Sequence, residues 1–300
     1  MRTKTYLFAL MAMALTLGSC SDNENGIGGE TSKYITVSTS IGNMTRVATD
    51  EKGGQTFEEG DEISVYAWTG APTVAPETSE RVVNNAINKL TNGSWVATPQ
   101  MLWKNNRDKH YFIGVYPVSA ISDLSAGEYT FDETKQVESD LLVAVNKDGL
   151  SYNVDEQQPV PLTFTHVMAK LVVNLTYKNQ WGGIPTVEKV VVGNAAKEAT
   201  INFLTKVVTP STTAKEDFSL PEITENTKYV SVIIPQEDVK QLTIVIGGKN
   251  FVYDNGTPFK LESGKITTVN LEVGRDEIKL GDVKITNWED GSTFGGEALN

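Results

Sequence analysis

The sequence predicts an all-β protein with two tandem β-sandwich domains after a short N-terminal export segment. Its 300 residues suit about two domains. After residue 20, no apolar pattern of helical period persists for three turns, and the nearest candidate, Arg81–Leu90, combines adjacent valines with three asparagines. Short apolar runs alternate with turn residues instead. We place the domain division near residue 158, within the polar stretch Asp155–Pro161, so the predicted domains are 34–158 and 159–300.

The predicted strands share β-branched and aromatic residues and end at glycine, proline or asparagine. In chain order after the first strand they are Ile63–Trp68, Ser94–Ala97, His110–Tyr116, Leu141–Val145, Leu162–Phe164, Lys170–Tyr177, Val187–Val192, Thr200–Phe203, Tyr229–Ile234, Leu242–Ile246, Asn250–Tyr253, Lys265–Val273 and Val283–Thr286.

Residues 1–20 have the pattern of a secretory signal. Arg2 and Lys4 precede the apolar run Tyr6–Leu17, which is shorter than the ~20 residues that a membrane span needs. The ending Leu17-Gly18-Ser19-Cys20 resembles a bacterial lipobox, in which the cysteine is lipidated and becomes the first residue of the mature protein. The alternative is an ordinary signal cut near Ser19. Cys20 is the only cysteine, so no intramolecular disulfide can form.

Residues 21–33 are predicted to form a flexible tether, because Ser21–Ser32 is polar and rich in glycine. Asp22 and Glu24 directly follow the predicted lipid site. Such an acidic patch resembles the signal that sends lipoproteins of Bacteroides-type bacteria to the cell surface. Ordinary linker composition is the alternative interpretation.

Residues 34–41 form an alternating segment typical of a half-buried strand. Ile35, Val37, Thr39 and Ile41 face one way, and hydroxyl side chains occupy the positions between them. We expect Ile35, Val37 and Ile41 to fill an apolar groove in the first domain, with burial of each contributing roughly 1.5–3 kcal/mol.

The charge balance argues against nucleic acid as a partner. The chain has 26 Lys and Arg against 38 Asp and Glu, a net charge of −12, with no compensating basic cluster. Anionic lipid would not attract such a surface either. We therefore expect membrane attachment through covalent lipid.

The sequence offers little for catalysis, and it predicts no enzyme, no metal site and no cofactor. His110 and His166 are the only histidines, and we interpret both as structural. The densest acidic cluster, Glu58, Glu59, Asp61 and Glu62, is more typical of solvated turn carboxylates than of a glycosidase pair. No nucleophile elbow, phosphate-binding glycine loop or His-Glu-x-x-His motif is present.

Five tryptophans could form either a sugar-stacking platform or parts of the core. They are Trp68, Trp95, Trp103, Trp181 and Trp288. Core packing is the simpler interpretation for most of them.

Several motifs together resemble the fimbrillins, the Mfa-like pilin lipoproteins of Bacteroides-type bacteria. The lipobox and alternating strand come first. The other motifs, in order, are Thr45-Arg46, Phe57–Tyr66 (FEEGDEISVY), Trp103 with Tyr111–Pro117, Phe164–Leu171 (FTHVMAKL) and Ile285–Gly291 (ITNWEDG). Each is weak alone, but their order spans nearly the whole chain.

The resemblance implies two transthyretin-like β-sandwiches and a route of assembly. A lipoprotein precursor reaches the outer surface, and a trypsin-like, Arg-specific protease cuts after an arginine that Arg46 matches, leaving Val47 first. The first strand departs, and a strand from another subunit fills its groove. Val283–Thr286 is a candidate donor. Alternatively, Arg46 is an exposed loop arginine, because anchor-type relatives keep their first strand.

The sequence therefore predicts a non-enzymatic surface fimbrial (pilus) subunit or adhesin. Its expected locations are the cell outer membrane, as a surface-exposed lipoprotein, and the fimbrium after processing. Expected partners are other fimbrial subunits, the outer membrane through lipid, an Arg-specific protease, and glycans or proteins on host or bacterial surfaces. The alternative is a monomeric cell-surface glycan-binding lipoprotein.

Overall fold

The structure is a computed structural model that describes residues 33–42, 56–153, 158–254 and 256–288. Strands dominate it, with two short 3-10 turns at Thr78–Glu80 and Asn179–Trp181. The strands are β1 (Val37–Ile41), β2 (Glu62–Thr69), β3 (Val83–Thr91), β4 (Ser94–Thr98), β5 (His110–Tyr116), β6 (Gly127–Thr130), β7 (Leu142–Leu150), β8 (Val160–His166), β9 (Ala169–Tyr177), β10 (Val187–Ala196), β11 (Glu198–Asn202), β12 (Val207–Pro210), β13 (Lys215–Ser219), β14 (Glu222–Thr224), β15 (Lys228–Ile233), β16 (Gln241–Ile246), β17 (Lys249–Asp254), β18 (Lys265–Val273) and β19 (Ile278–Asn287). The all-β prediction is confirmed.

A seven-stranded sheet contains the first strand. Its order is β1-β8-β7-β5-β2-β3-β4, and every pair is antiparallel except β1 with β8, which run parallel. The central strands β2 and β5 are buried along nearly their whole length, which explains their continuous apolar sequence. One face of the sheet, which includes Ile63 and Val65, packs on Ile35 and Val37 in a separate apolar cluster.

The two edges of this sheet approach each other. Met101 and Trp103 follow β4, and they bond to residues just before β1: the Ile35 N–H donates to the Met101 carbonyl (2.9 Å), and the Trp103 N–H to the Lys33 carbonyl (3.0 Å). Further along, the Trp95 indole N–H of β4 donates to the Thr39 hydroxyl of β1 (3.0 Å). The sheet therefore curls around the cluster that contains Ile35.

Three more sheets form the rest of the described structure. They have the orders β14-β15-β9-β18-β19, β13-β10-β16-β17 and β12-β11-β6. Their apolar faces form one large cluster, which the opposite face of β2 and β5 joins through Tyr66, Trp68 and Ile113. Polar positions along the outer strands remain at the surface.

The chain changes sheets between His166 and Ala169. β8 pairs with β7 and β1 in the seven-stranded sheet, and β9 begins the five-stranded sheet. The predicted strand Leu162–Phe164 lies within β8, which extends two residues further at each end. The division into domains 34–158 and 159–300 stays a prediction.

The weak helical candidate Arg81–Leu90 is largely strand β3. Asn85 adopts a positive φ of 55°, and the β2–β3 register shifts beside it, so a local bulge interrupts the alternation. β7 also extends past the predicted strand end at Val145 as far as Leu150. Gly149 makes this path possible in two ways. It adopts a φ of 69°, which favours glycine, and it has no Cβ, which would lie 2.7 Å from the Tyr111 ring. No helix in the described ranges has the length and apolar character to cross a membrane.

Candidate functional site

The first strand contributes side chains to the core of the seven-stranded sheet. Ile35 and Val37 are 1% and 6% exposed, and Ile41 is half-buried at the C-terminal end of β1. Thr36 and Ser38 between them are exposed. The buried and exposed side chains therefore alternate as the sequence predicts. The most deeply buried ones, Ile35 and Val37, lie at the N-terminal end of this segment.

Alternate residues of β1 direct their backbone groups to opposite sides. In a parallel pair, a bonded residue directs both its N–H and its C=O to the same neighbour. Val160 donates to the Thr36 carbonyl, and Gly42 donates to the Phe164 carbonyl, both at 2.8 Å. The even-numbered residues therefore bond β8, and the odd-numbered residues point away from it.

A groove of about 740 Å³ lies between β1 and β4. Its lining includes residues 36–41 of β1, Phe57, and Ser94 and Trp95 of β4. No residue on this lining carries a charge. The walls are apolar rings and hydroxyl groups, with the Trp95–Thr39 hydrogen bond crossing the gap.

Phe57, the first residue of the FEEGDEISVY motif, organises the aromatic wall of this groove. Its ring meets Trp95, Tyr116 and Phe164 edge-on, with centroid distances of 5.3, 5.4 and 5.1 Å. Such pairs contribute roughly 0.5–1.5 kcal/mol each beyond burial. The motif phenylalanine therefore connects β4, β5 and β8 in the groove that β1 also lines.

The acidic residues of this motif have structural partners. The Glu59 carboxylate accepts the N–H groups of Asn92 and Gly93 in the β3–β4 turn. Asp61 accepts the Glu58 N–H at 2.7 Å. Glu62 forms an exposed ion pair with Lys89 at 3.0 Å, a type that contributes little. The cluster holds a hairpin in place.

The two histidines also occupy structural positions. The Nε2 of His110 accepts the Lys104 N–H, and its Nδ1 donates to the Asp108 carbonyl, both at 3.1 Å. Burial lowers the pKa of His110, which favours this neutral tautomer. The ring also lies edge-on to Trp103 at 4.9 Å. His110 therefore fixes the loop before β5.

His166 belongs to a buried cluster at the end of the last strand. Its Nδ1 lies 2.8 Å from Asp140 Oδ1, and its ring stacks on Trp288 with 4.1 Å between centroids and a 4° tilt. The Lys170 ammonium lies 5.4 Å from the Trp288 ring, and burial lowers the pKa of Lys170 to about 8. Trp288 thus packs the end of β19 against residues of β8 and β9.

The remaining predictions concern metal ligands, the tryptophans and the sites of lipidation and processing. No group of three His, Cys, Asp or Glu residues suited to a metal ion occurs within the described ranges. Trp68 and Trp288 are buried and the other three tryptophans are half-buried. Cys20, Arg46 and Val47 lie outside the described residues, so lipidation and processing there stay predictions.

Sequence reasoning missed the role of Gly114 in β5. A Cβ at this position would lie 2.6 Å from the Phe164 ring and 3.1 Å from Leu162. Gly114 therefore leaves room for the Phe164 and Leu162 side chains of β8 to pack against β5. The glycine stands within the quoted motif YFIGVYP and could have been noticed there.

The fold and the groove define a β-sandwich protein whose first strand lies at a sheet edge and fills part of the core. A family model described as fimbrillin-like matches residues 45–288. The chain belongs to this family, and the resemblance inferred from its motifs is confirmed. Comparison with curated proteins gives no match.

Solved structures share the fold at low sequence identity. One from Bacteroides uniformis, described as a candidate cell adhesion protein, has a TM-score of 0.64 at 18% identity, covering 86% of this chain and 100% of that one. A similarly described protein from Bacteroides ovatus gives 0.62 at 17%, covering 85% and 98%. The tip fimbrial protein Mfa3 of Porphyromonas gingivalis gives 0.50 at 11%, covering 77% and 95%. The predicted fold class is confirmed.

Proposed function

We propose that this chain is a surface fimbrial subunit or adhesin that assembles by strand exchange after lipid anchoring and removal of its first strand. Membership of the fimbrillin-like family supports the first part, as do relatives described as fimbrial or cell adhesion proteins. The architecture of the family also favours a non-enzymatic role at the cell surface or in the fimbrium.

The placement of β1 carries the exchange proposal. It is a five-residue edge strand, and β8 is its only strand partner in the described sheet. Its departure would expose the β8 edge and empty the positions of Ile35 and Val37 in the core. An unpaired edge beside an apolar slot is a template for strand addition.

The last of the described strands is a candidate donor. β19 is an edge strand that pairs with β18 alone among the described strands, and its Val283 and Ile285 are 41% and 40% exposed. The side chains of Val283 and Ile285 would lose little apolar burial if the strand left. The Trp288 contact with His166 would have to open for this release.

N-terminal sequencing of the protein from the cell surface tests processing. Cleavage after Arg46 gives a chain that starts at Val47, and Arg46→Ala should retain the precursor and abolish polymer. Lys52→Ala, a change in the same part of the chain, is the matched control for an Arg-specific protease. Normal polymer from Arg46→Ala would contradict the exchange route.

Metabolic labelling with a fatty-acid probe tests anchoring separately. We expect label on the wild type and on Ser21→Ala, and none on Cys20→Ala, because the thiol is the acylation site in a lipobox. Several acyl chains would hold the precursor stably in the membrane. Labelling that persists in Cys20→Ala would show that the lipobox interpretation is wrong.

A further inference from the structure

The edge of β1 that faces the groove has backbone groups without a strand partner. Val37, Thr39 and Ile41 point their N–H and C=O groups away from β8, and β1 is the outermost strand of its sheet in the described structure. Three successive odd-numbered residues offer the hydrogen-bonding row that another strand would need. Among the described residues, this short row of backbone groups is therefore open to pairing with another strand.

The opening has a defined direction. Just before β1, Lys33 and Ile35 form backbone hydrogen bonds with Trp103 and Met101, so the chain at that end is already paired with the segment after β4. Beyond Val37, the gap to β4 is crossed by the side-chain bond from Trp95 to Thr39. From Val37 to Ile41, no backbone hydrogen bond joins the two edges among the described residues, and Ile41 and Phe57 line the groove there.

Charge distinguishes this edge from most other sheet edges. Proteins commonly protect exposed edges from association with charged residues, proline or short length. The other outer strands of the described sheets follow this rule. Charged residues occur in β19 (Lys279, Asp282 and Lys284), β17 (Lys249 and Asp254), β13 (Lys215, Glu216 and Asp217) and β6 (Glu128). The strand β14 has three residues, and β12 ends at Pro210. Neither β1 nor β4 contains a charged residue. The unprotected pair of edges encloses the groove.

We propose that this groove binds an uncharged, extended strand of another polypeptide, which adds to the free edge of β1 while β1 stays in place. The partner strand would pair with Val37, Thr39 and Ile41. It would alternate apolar side chains, packed over Phe57 and Trp95, with small hydroxyl side chains outside. A charged side chain would lose solvation against the uncharged lining without gaining a partner.

This binding differs from strand exchange, because nothing leaves the seven-stranded sheet. It requires no cleavage, and it adds an eighth strand between β1 and β4. The inference therefore stands or falls independently of processing at Arg46.

The probe is a synthetic peptide with the sequence of residues 34–41 (YITVSTSI), which is uncharged and alternating. It is added to the full-length chain carrying Arg46→Ala, so that β1 is retained, and amide hydrogen exchange is followed residue by residue. Before addition, the Ser38 and Ser40 amides should exchange slowly, and those of Thr39 and Ile41 rapidly. Saturating peptide should slow Thr39 and Ile41 by about tenfold or more, leaving Ser38 and Ser40 slow.

Two controls isolate backbone pairing and the groove. The same peptide N-methylated at alternate residues keeps its side chains but loses one row of donors, and it should not protect the edge. In the protein, Ser38→Lys should weaken binding by about tenfold or more, whereas the matched Ser38→Thr should not. Tryptophan fluorescence should change on binding, and that change should largely disappear in Trp95→Phe.

Three outcomes would overturn the inference. Absence of protection at Thr39 and Ile41 would show that the edge does not accept a strand. Faster exchange at Ser38 and Ser40 would show that the peptide replaces β1. Slow exchange of Thr39 and Ile41 before addition would show that another part of this chain already covers the edge.

Discussion

Truncation of Ile35 to alanine should test how strongly the first strand is attached. Ile35 is 1% exposed and packs in the cluster inside the curled sheet. The change removes three carbon atoms, worth about 2.4 kcal/mol at ~0.8 kcal/mol for each, and the remaining cavity adds to this loss. We expect a decrease of about 3 kcal/mol in the free energy of unfolding. The backbone bond to Met101 is retained, so the effect isolates side-chain packing.

Urea unfolding followed by tryptophan fluorescence measures this loss, with Thr36→Ala as the matched control. Thr36 is the exposed residue next to Ile35 in the chain, so its truncation should change stability by less than about 0.5 kcal/mol. If β1 opens before the rest of the sheet, the loss will appear mainly as faster amide exchange at Ser38 and Ser40.

The reasoning fails if Ile35→Ala alters neither the unfolding midpoint nor amide exchange more than Thr36→Ala does. Such a result would mean that β1 contributes no packing energy to the fold. The exchange proposal would then have no energetic basis, because removal of the strand would leave no strained or open core.

Two further predictions concern Gly114 and Lys170. Gly114→Ala should lower stability by about 1–3 kcal/mol in thermal unfolding, because the new methyl group would lie 2.6 Å from the Phe164 ring, and an unchanged midpoint would show that β8 shifts freely. Lys170 has a pKa of about 8 in the fold against 10.5 when exposed, so between these values the unfolded chain binds more protons and stability should rise with pH. That rise, on the order of 3 kcal/mol in full, should be missing from Lys170→Met, and equal pH slopes for both proteins would contradict it.

Local patterns in the sequence predicted much of the fold. His110–Tyr116 has the same bounds in the structure as in the prediction, because it is a continuous apolar run that ends at a proline. The alternation from Ile35 to Ile41 also has the predicted phase, since every second side chain meets the core. Such features depend on residue type and spacing alone.

Features that depend on contacts between distant parts of the chain could not be predicted from the sequence. β3 has a bulge at Asn85 that breaks its alternation, and no local signal marks it. The groove exists because Met101 and Trp103 bond to residues before β1 and bring two sheet edges together. The sequence separates these segments by more than sixty residues, so the closure could not be predicted from spacing.

The hydrogen bonds of β1 make its resistance to force depend on direction. A pull along the strand axis from the side of Lys33 stretches the bonds to β8 and to Met101 and Trp103 at the same time, so the load is shared in shear. A pull at Ile41 that lifts the strand away from the sheet opens the bonds to β8 one after another. Tension along the chain is thus resisted by the whole strand, whereas a perpendicular force needs to break only one bond at a time.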